Sequence, residues 1–256
     1  MRVAAIQHDI VWNDRDANFT RLAPQIAAAA AGGARLVVLT ETFSTGFVTD
    51  DPTLGEPEGG PSSQFLVDQA RTHGMWIAGT CPEIPADSDP TDRRPANSLV
   101  IAGPGGETHR YHKIHPFSYG GEDRWFRAGT RIVQLDIEGV RVTPFVCYDL
   151  RFADEFWQVA TTTDLYIVPA NWPDSRRAHW MALLQARAIE NQAYVVGCNR
   201  VGDGPGLHYV GDSRIIDPLG ELLATGSQGE TILFADIEPA TVAEVRARFP
   251  FLTDRR

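Results

Sequence analysis

A strand-like pattern gives way to a helical one within the stretch VRVTPFVCYDLRF, residues 140–152. Apolar and β-branched residues dominate positions 140–146, and positions 152–160 have the composition of a helix. Cys147 stands at the turn between them. A thiol in such a turn faces the positive end of the following helix and its first backbone N–H groups, which favour a thiolate and stabilise a nearby oxyanion. The alternative for Cys147 is the environment of a buried core cysteine.

Strands and helices alternate outward from this stretch in both directions. Hairpin signals interrupt the alternation at residues 103–106, 138–139 and 218–220. Strands are predicted at residues 3–7, 36–40, 75–79, 98–102, 107–111, 132–137, 140–146, 165–168, 193–197 and 232–236, with a further hairpin over 214–225. Helices are predicted at residues 16–31, 62–73, 152–160 and 177–192, and from Pro239 onward.

Strand–helix–strand units mixed with several hairpins predict an α/β protein with mixed sheets. The continuous apolar run at residues 36–40 is typical of a strand that is buried on both faces. Two sheets packed face to face, with helices outside, would accommodate both signals. The Pro/Gly/Asp-rich stretches at 49–61 and 82–95 indicate loops rather than linkers, so a single domain over residues 1–256 is predicted.

Two prolines and a pair of serines bear on the shape and ends of the predicted elements. Pro24 lies inside a predicted helix, where it should kink the helix or mark its first turn. Pro144 lies inside a predicted strand, which favours an edge position or a bulge. Ser62 and Ser63 are candidate caps for the helix that ends near His73.

Composition excludes several classes of protein. The formal charge is −10, which disfavours nucleic acid and anionic membrane partners. No apolar run reaches the length of a membrane span, and the N-terminus enters a strand pattern rather than a signal peptide. Cys81, Cys147 and Cys198 are odd in number and widely spaced, so a reduced, cytoplasmic protein is expected, with Cys81 and Cys198 in the core.

An acid and an ammonium group also stand at predicted strand ends. Glu41 closes the apolar run 36–40 and is a candidate general base, unless it is a solvated loop glutamate. Lys113 follows the strand at 107–111 and is the only lysine in the chain, all other basic side chains apart from histidine being arginine. A lysine provides a compact charge that arginine cannot, although a surface position is the ordinary alternative. With Cys147, these groups would meet on one rim of a sheet.

The histidines do not indicate a metal site. His112 and His115 flank Lys113, but no Cys or acid cluster accompanies them at ligand spacing. We expect no metal and no organic cofactor, with the histidines acting as hydrogen-bonding groups around a cleft.

The chain resembles the nitrilase superfamily of carbon–nitrogen hydrolases, which carries Glu, Lys and Cys in this order. Glu41 in VLTETF, Lys113 in YHKIH and Cys147 in VCYDLRF match that pattern. The resemblance implies a four-layer αββα sandwich and a cysteine amidase. It also places the second active-site glutamate of the family on Glu122, and an oxyanion-binding N–H on Tyr148.

The sequence after the cysteine is similar to the omega-amidase branch, whose members hydrolyse the terminal amide of 2-oxo acids such as 2-oxoglutaramate and 2-oxosuccinamate. Two positions depart from the family pattern: Thr40 and Ala153 stand where proline is usual. Neither departure removes a reacting group, so both bear on substrate specificity rather than on activity. The similar segments are ANWP (170–173), HW (179–180), LL (183–184), ARAIENQ (186–192), NRVG (199–202) and GDS (211–213).

A substrate of this kind carries a carboxylate, which a protein with net negative charge must hold through a local cation. Arg151 is the first candidate, and Arg176 and Arg177 are the reserve. Arg151 could instead pair with an acid on its own helix, namely Asp149, Asp154 or Glu155. Trp172 is a candidate substrate contact, with core packing as the alternative.

Two further questions stay open on the sequence alone. The substrate could be another amide, an N-carbamoyl compound or a nitrile, or the protein could bind without turnover. The helices at 152–160 and 177–192 carry apolar residues on more than one face, which, with the family, favours a homodimer or a larger assembly.

Overall fold

The computed structural model describes residues 1–89 and 91–255. Within these residues, strands and helices alternate as the sequence predicts. In chain order they are β1 (Arg2–Gln7), α1 (Arg15–Ala31), β2 (Leu36–Val38), β3 (Glu56–Pro57), α2 (Pro61–His73), β4 (Trp76–Ile84), β5 (Ala96–Ala102), β6 (Thr108–His112), α3 (Glu122–Trp125), β7 (Leu135–Ile137), β8 (Val140–Pro144), α4 (Ala153–Gln158), β9 (Leu165–Ala170), α5 (Arg177–Asn191), β10 (Tyr194–Asn199), β11 (Val201–Gly204), β12 (Leu207–Ile216), β13 (Leu222–Ser227), β14 (Thr231–Asp236) and α6 (Pro239–Arg248).

The strands form two mixed sheets of seven strands each within the described part of the chain. The first has the order β14-β1-β2-β4-β5-β6, with β3 paired to β4. The second has the order β11-β12-β10-β9-β8-β7, with β13 paired to β12. Each sheet has a parallel centre, β1-β2-β4 in the first and β8-β9-β10 in the second, and antiparallel strands flank both centres.

Alternation along the strands separates the layers. Val3 and Ala5 of β1 pack in the apolar core shared by the two sheets, whereas Ala4 and Ile6 pack with α1 and α2. Successive side chains of a strand point to opposite faces, so β1 is covered by a sheet on one face and helices on the other. Trp180 of α5 joins the core around the second sheet. The predicted αββα sandwich with two mixed sheets is thereby confirmed.

Some local predictions were wrong. Pro144 is the last residue of β8, which is not an edge strand because it pairs with β7 and β9; β7 reaches only Val142, so the proline removes no bond on that side. Helix α1 begins at Arg15 and runs through Pro24, which therefore does not mark its first turn. Gly60, with Pro61 following, caps α2, and Ser62 and Ser63 lie inside the helix. No helix among the described residues is both long and apolar enough to span a membrane.

Candidate active site

The ends of strands from both sheets converge at one edge of the sandwich. Glu41 follows β2, Asn171 follows β9 and Cys147 follows β8. Strand β6 is antiparallel to β5, which is antiparallel to β4, so β6 ends at the same edge as β4 and brings Lys113 there. Carboxyl ends of parallel strands are the usual place for a binding site in α/β proteins.

The Glu41 carboxylate is buried, at 0% exposure, and both of its oxygens accept hydrogen bonds. Oε1 accepts from Lys113 Nζ at 2.9 Å and from Asn97 Nδ2 at 2.9 Å. Oε2 accepts from the backbone N–H of Asn171 at 2.8 Å. Glu41 is therefore held in one orientation and is not a solvated loop residue.

Lys113 is buried, at 1% exposure, and its ammonium lies between two carboxylates. Besides Glu41, Nζ donates to Glu122 Oε2 at 2.8 Å. Burial alone would lower the pKa of Lys113, but the charges of Glu122, Glu41 and Cys147 outweigh it and hold the pKa well above its usual value. The surface alternative for Lys113 is wrong, and its side chain is a fixed cation.

Glu122 is the first residue of α3 and is also fully buried. Asn97 Nδ2 donates to Glu122 Oε1 at 3.0 Å, so one amide bridges the two glutamates. Burial raises the pKa of Glu122, and the nearby Lys113 charge opposes this rise. Two carboxylates around one ammonium leave this buried cluster with an excess negative charge when all three groups are ionised.

Cys147 opens a 3₁₀ turn, Cys147–Arg151, that precedes α4. Its φ is 44°, a left-handed value that costs a non-glycine residue roughly 1–3 kcal/mol and often marks a functional position. Burial, followed by the charge of Glu41 and a hydrogen bond to it, raises the thiol pKa well above its usual value, although the Lys113 charge lowers it. The turn geometry, which favours a thiolate, is thus outweighed by burial and by Glu41. A neutral thiol needs a base, and Glu41 is beside it.

Tyr148 is the second residue of the same turn. The first backbone N–H bonded within the turn belongs to Asp149, which donates to Val146 O at 2.9 Å, so the N–H groups of Cys147 and Tyr148 have no acceptor inside the turn. The Tyr148 ring packs against Phe117 and Phe152, with centroid distances of 4.9 and 5.3 Å. The ring of Tyr148 thus forms part of the cavity wall, and its backbone N–H is not used within the turn.

A cavity of about 370 Å³ opens above Glu41 and Cys147. Cys147 is 9% exposed, which leaves its thiol accessible from this space. The lining residues are Trp12, Glu41, Phe47, Val48, Thr49, Asp50, Phe117, Gly120, Cys147, Tyr148, Arg151, Asn171, Trp172, Pro173, Arg176, Pro205, Leu207 and Tyr209.

The predicted substrate-binding residues divide into two groups. Arg151, Trp172 and Arg176 line the cavity. Arg177 does not: its guanidinium forms two hydrogen bonds with Asp212, both at 2.9 Å, in a bidentate ion pair. The structure therefore gives Arg177 a structural partner and no contact with the cavity.

Arg151 packs against the aromatic wall of the cavity. Its guanidinium carbon is 4.7 Å from the centroid of the Trp172 ring, and Nη2 is 3.3 Å from His179 Nδ1. Among residues 1–89 and 91–255 it makes no ion pair, so the expected pairing with an acid of its own helix is wrong. The Arg176 guanidinium stacks over Phe117 at 5.5 Å. Both cations have the freedom to bind an anion in the cavity.

Two asparagines of the site, Asn97 and Asn171, were not predicted from the sequence. Asn97 lies at the start of β5, and nothing in its local sequence distinguishes it. Asn171 belongs to the ANWP segment, which was a signal of family but not of role. Its side chain donates to the Glu41 backbone oxygen at 2.7 Å.

Thr40, at a position where the family usually has proline, places its hydroxyl 3.4 Å from His8 Nε2. No group of three potential metal-ligating side chains occurs in the part of the chain that the structure describes.

A family model for carbon–nitrogen hydrolases matches residues 2–247. The chain therefore belongs to the carbon–nitrogen hydrolase family, as its motifs predict, and is a hydrolase that acts on carbon–nitrogen bonds. It is 37% identical to omega-amidase YafV of Escherichia coli over 257 residues, which is 99% of this chain and 96% of that protein. It is 32% identical to 2-oxoglutaramate amidase of Bacillus subtilis over 259 residues, with 99% and 97% covered.

A solved structure supports the same assignment. The CN-hydrolase superfamily protein of Xanthomonas campestris, solved with an arsenic adduct in its active site, is similar with a TM-score of 0.92 and 34% identity. The similarity covers 100% of this chain and 97% of that one. The fold and the family thus agree over the full length of the described structure.

Proposed function

We propose that this protein is an omega-amidase that hydrolyses the terminal amide of small 2-oxo acid amides, such as 2-oxoglutaramate and 2-oxosuccinamate. One observation carries the proposal: a buried ammonium between two carboxylates lies beside an accessible thiol at the base of a cavity that also contains two arginines, neither of which has a carboxylate partner among the described residues. The similarity to YafV and to 2-oxoglutaramate amidase supports the substrate class.

In the first half of the proposed reaction, Glu41 accepts the proton of Cys147 and the sulfur attacks the amide carbon. The carbonyl oxygen becomes an oxyanion. Lys113 uses two of its three N–H donors on Glu41 and Glu122, which leaves the third for the oxyanion. The backbone N–H of Tyr148 is the second donor. Losing one such donor typically costs about a hundredfold to a thousandfold in rate.

In the second half, the protonated Glu41 gives its proton to the leaving nitrogen and the carbon–nitrogen bond breaks. Ammonia departs and a thioester remains on Cys147. Glu41 then accepts a proton from water, whose oxygen attacks the thioester, and the proton returns to sulfur as the acid is released. Apart from the substrate and one water molecule, these steps use only groups of the chain.

Glu122 acts through its neighbours in this mechanism. It accepts from Lys113 and from Asn97, and Asn97 also donates to Glu41. Glu122 therefore orients the Lys113 ammonium toward the oxyanion. Through Asn97, which donates to both glutamates, it also helps to hold Glu41 in place. A raised pKa at Glu122 also allows it to take a proton when the charge of the cluster changes.

Substrate polarity follows from the two arginines of the cavity. The charge of −10 repels an anionic substrate at long range, so a local cation must hold its carboxylate. Arg151 is the first candidate because it follows Cys147 by one helical turn and lies across Trp172. Arg176 is the second. Trp172 supplies the flat apolar surface on which the carbon chain of the substrate can rest.

The proposal is tested by ammonia release from 2-oxoglutaramate, 2-oxosuccinamate, glutamine and asparagine, with an N-carbamoyl amino acid, an aliphatic amide and a nitrile alongside. The highest kcat/KM is expected for the 2-oxo acid amides. Preference for another member of the panel would assign the alternative specificity. If no compound is turned over and a thiol-reactive amide fails to label Cys147, the protein is a binding protein on this fold.

We also propose that the chain functions as one domain over residues 1–256 in a reducing, cytoplasmic compartment. The family model spans nearly all of it, and Cys81, Cys147 and Cys198 are all unpaired.

A further inference from the structure

Asp149 is a buried carboxylate that the proposed mechanism does not use. It is the third residue of the Cys147–Arg151 turn and is 0% exposed. A buried carboxylate is retained only where hydrogen bonds replace its lost hydration. Asp149 therefore needs hydrogen-bond donors, and the segments that supply them indicate what this residue holds together.

Each oxygen of Asp149 accepts two hydrogen bonds. Oδ1 accepts from the backbone N–H of His115 at 2.9 Å and from His115 Nδ1 at 3.0 Å. Oδ2 accepts from the Tyr111 hydroxyl at 2.8 Å and from the backbone N–H of Val146 at 3.0 Å. Because a carboxylate only accepts, His115 carries its proton on Nδ1 in this arrangement.

These partners belong to two different segments of the site. Tyr111 and His115 stand two residues before and two residues after Lys113. Val146 immediately precedes Cys147, whose left-handed φ of 44° requires support from its surroundings. One carboxylate thus ties the segment that carries the ammonium, in the first sheet, to the turn that carries the thiol, in the second.

From this geometry we infer that Asp149 is a positioning residue that sets Lys113 against Cys147. The inference deepens the proposed function and rests on it. Neither Asp149 nor any of its three partner residues lines the cavity, so Asp149 acts through the backbone and not on the substrate. A displacement on the order of 1 Å at a reacting group can cost about a hundredfold in rate.

Asp149→Asn is the principal variant. It keeps the size of the side chain but replaces one acceptor oxygen by an NH₂ group that faces N–H and O–H donors. We expect kcat to fall on the order of a hundredfold while KM stays within about threefold, since the substrate arginines are untouched. The Lys113 charge lowers the thiol pKa, and this effect weakens when Lys113 is displaced from Cys147. The rate at which chloroacetamide labels Cys147 should therefore fall as well.

Asp164→Asn is the matched control for a purely structural effect. Asp164 is buried and accepts from the Arg141 backbone N–H at 3.0 Å and from its Nε at 2.9 Å, but it precedes β9 and so lies at the opposite edge of the sheet. Both variants should lower stability. Only Asp149→Asn should lower kcat in protein whose circular dichroism shows it folded.

Tyr111→Phe removes one of the four hydrogen bonds that Asp149 accepts. It tests the positioning role of Asp149 even if Asp149→Asn does not fold. We expect about a fivefold loss of kcat, against less than twofold for Tyr166→Phe, whose buried hydroxyl donates to Phe156 O at 3.0 Å and not to Asp149. Folded Asp149→Asn with kcat within twofold of the parent, or Tyr111→Phe indistinguishable from Tyr166→Phe, would overturn the inference.

Chloroacetamide labelling separates this inference from the proposed function. It needs no knowledge of the true substrate, because it reports the thiol directly. Active Cys147→Ala would overturn the proposed thiol chemistry. Inactive Cys147→Ala together with normal Asp149→Asn would overturn only the positioning role of Asp149.

Discussion

Asn171 donates two hydrogen bonds to Glu41, although 130 residues separate them in sequence. The backbone N–H meets Oε2 at 2.8 Å and the side-chain amide meets the Glu41 backbone oxygen at 2.7 Å. Glu41 follows a strand of the first sheet and Asn171 a strand of the second. The proposed base is therefore oriented by the sheet that carries the proposed nucleophile, and the site exists only when the two sheets are packed together.

Replacement of the thiol tests the proposed covalent route. Cys147→Ala should lower turnover by at least about a thousandfold, because no other group can form the thioester. Cys81→Ala and Cys198→Ala are the matched controls, since both thiols are buried away from the cavity lining, and they should keep most of the activity. Steady-state ammonia release measures all three. A Cys147→Ala enzyme with a tenth of normal turnover would rule out the mechanism.

Lys113→Arg tests whether a compact ammonium is needed. A planar guanidinium cannot place its donors on Glu41, Glu122 and an oxyanion as Nζ can, so we expect a loss on the order of a hundredfold in kcat. The reverse exchange, Arg110→Lys on the strand that precedes Lys113, is the control; Arg110 pairs with Glu83 at 2.8 Å and should be replaceable within about threefold. Normal kcat for Lys113→Arg, with unchanged circular dichroism, would exclude a role in turnover.

Arg151→Met tests how a substrate carboxylate is held. Loss of a charge-assisted pair should raise KM for 2-oxoglutaramate by about tenfold to a hundredfold and leave KM for a neutral amide nearly unchanged. Arg176→Met is the second variant, and Arg177→Met is the control because its partner is Asp212. Equal effects of all three on charged and neutral amides would mean that the carboxylate is bound elsewhere.

His8 should make the fold sensitive to mild acid. Burial lowers the pKa of His8 from 6.5 to about 4. Between these values the unfolded chain binds a proton that the folded chain does not, so stability is complete above about pH 6.5 and falls as the pH drops toward 4. The shift corresponds to about 3 kcal/mol at most. The free energy of unfolding, measured with urea at several pH values across this range, should change less steeply with pH in His8→Gln than in the exposed His208→Gln. Identical slopes would contradict the assignment.

The protein is expected to be a homodimer or larger. Ile189 of α5 is 47% exposed, and Leu222 and Phe249 add exposed apolar surface of the same kind. Light scattering at micromolar concentration should give at least twice the 28.2 kDa of the chain. Ile189→Glu should lower this mass, and a parent mass near one chain would refute the expectation.

Local patterns were sufficient to predict the layers and the strand ends of the site. Glu41, Lys113 and Cys147 each follow a run whose composition predicts a strand, and the direction of the strands brings them to one edge. Strand β11 was missed, because Gly202 and Gly204 give it no strand-like composition. Its pairing with β12 provides the order that its sequence does not.

Contacts between distant segments could not be predicted in this way. Arg151 and Arg177 are both arginines near helix starts, and only the placement of Asp212 on β12 gives one of them a partner. Asn171 and Asn97 have roles that depend on which strands end beside Glu41. The pKa of the Cys147 thiol likewise depends on burial and on Glu41, so the turn alone could not predict that this pKa is raised.

The only lysine of the chain is the one enclosed between Glu41 and Glu122. Reagents that acylate primary amines therefore find no side-chain target on the surface of the folded molecule, and the remaining amine, at Met1, is engaged with Ile237 O at 2.8 Å. Any acylation of Lys113 requires its amine to leave its hydrogen bonds with Glu41 and Glu122. The extent of that labelling over time would consequently measure the frequency of local opening at a single position, without any engineered probe.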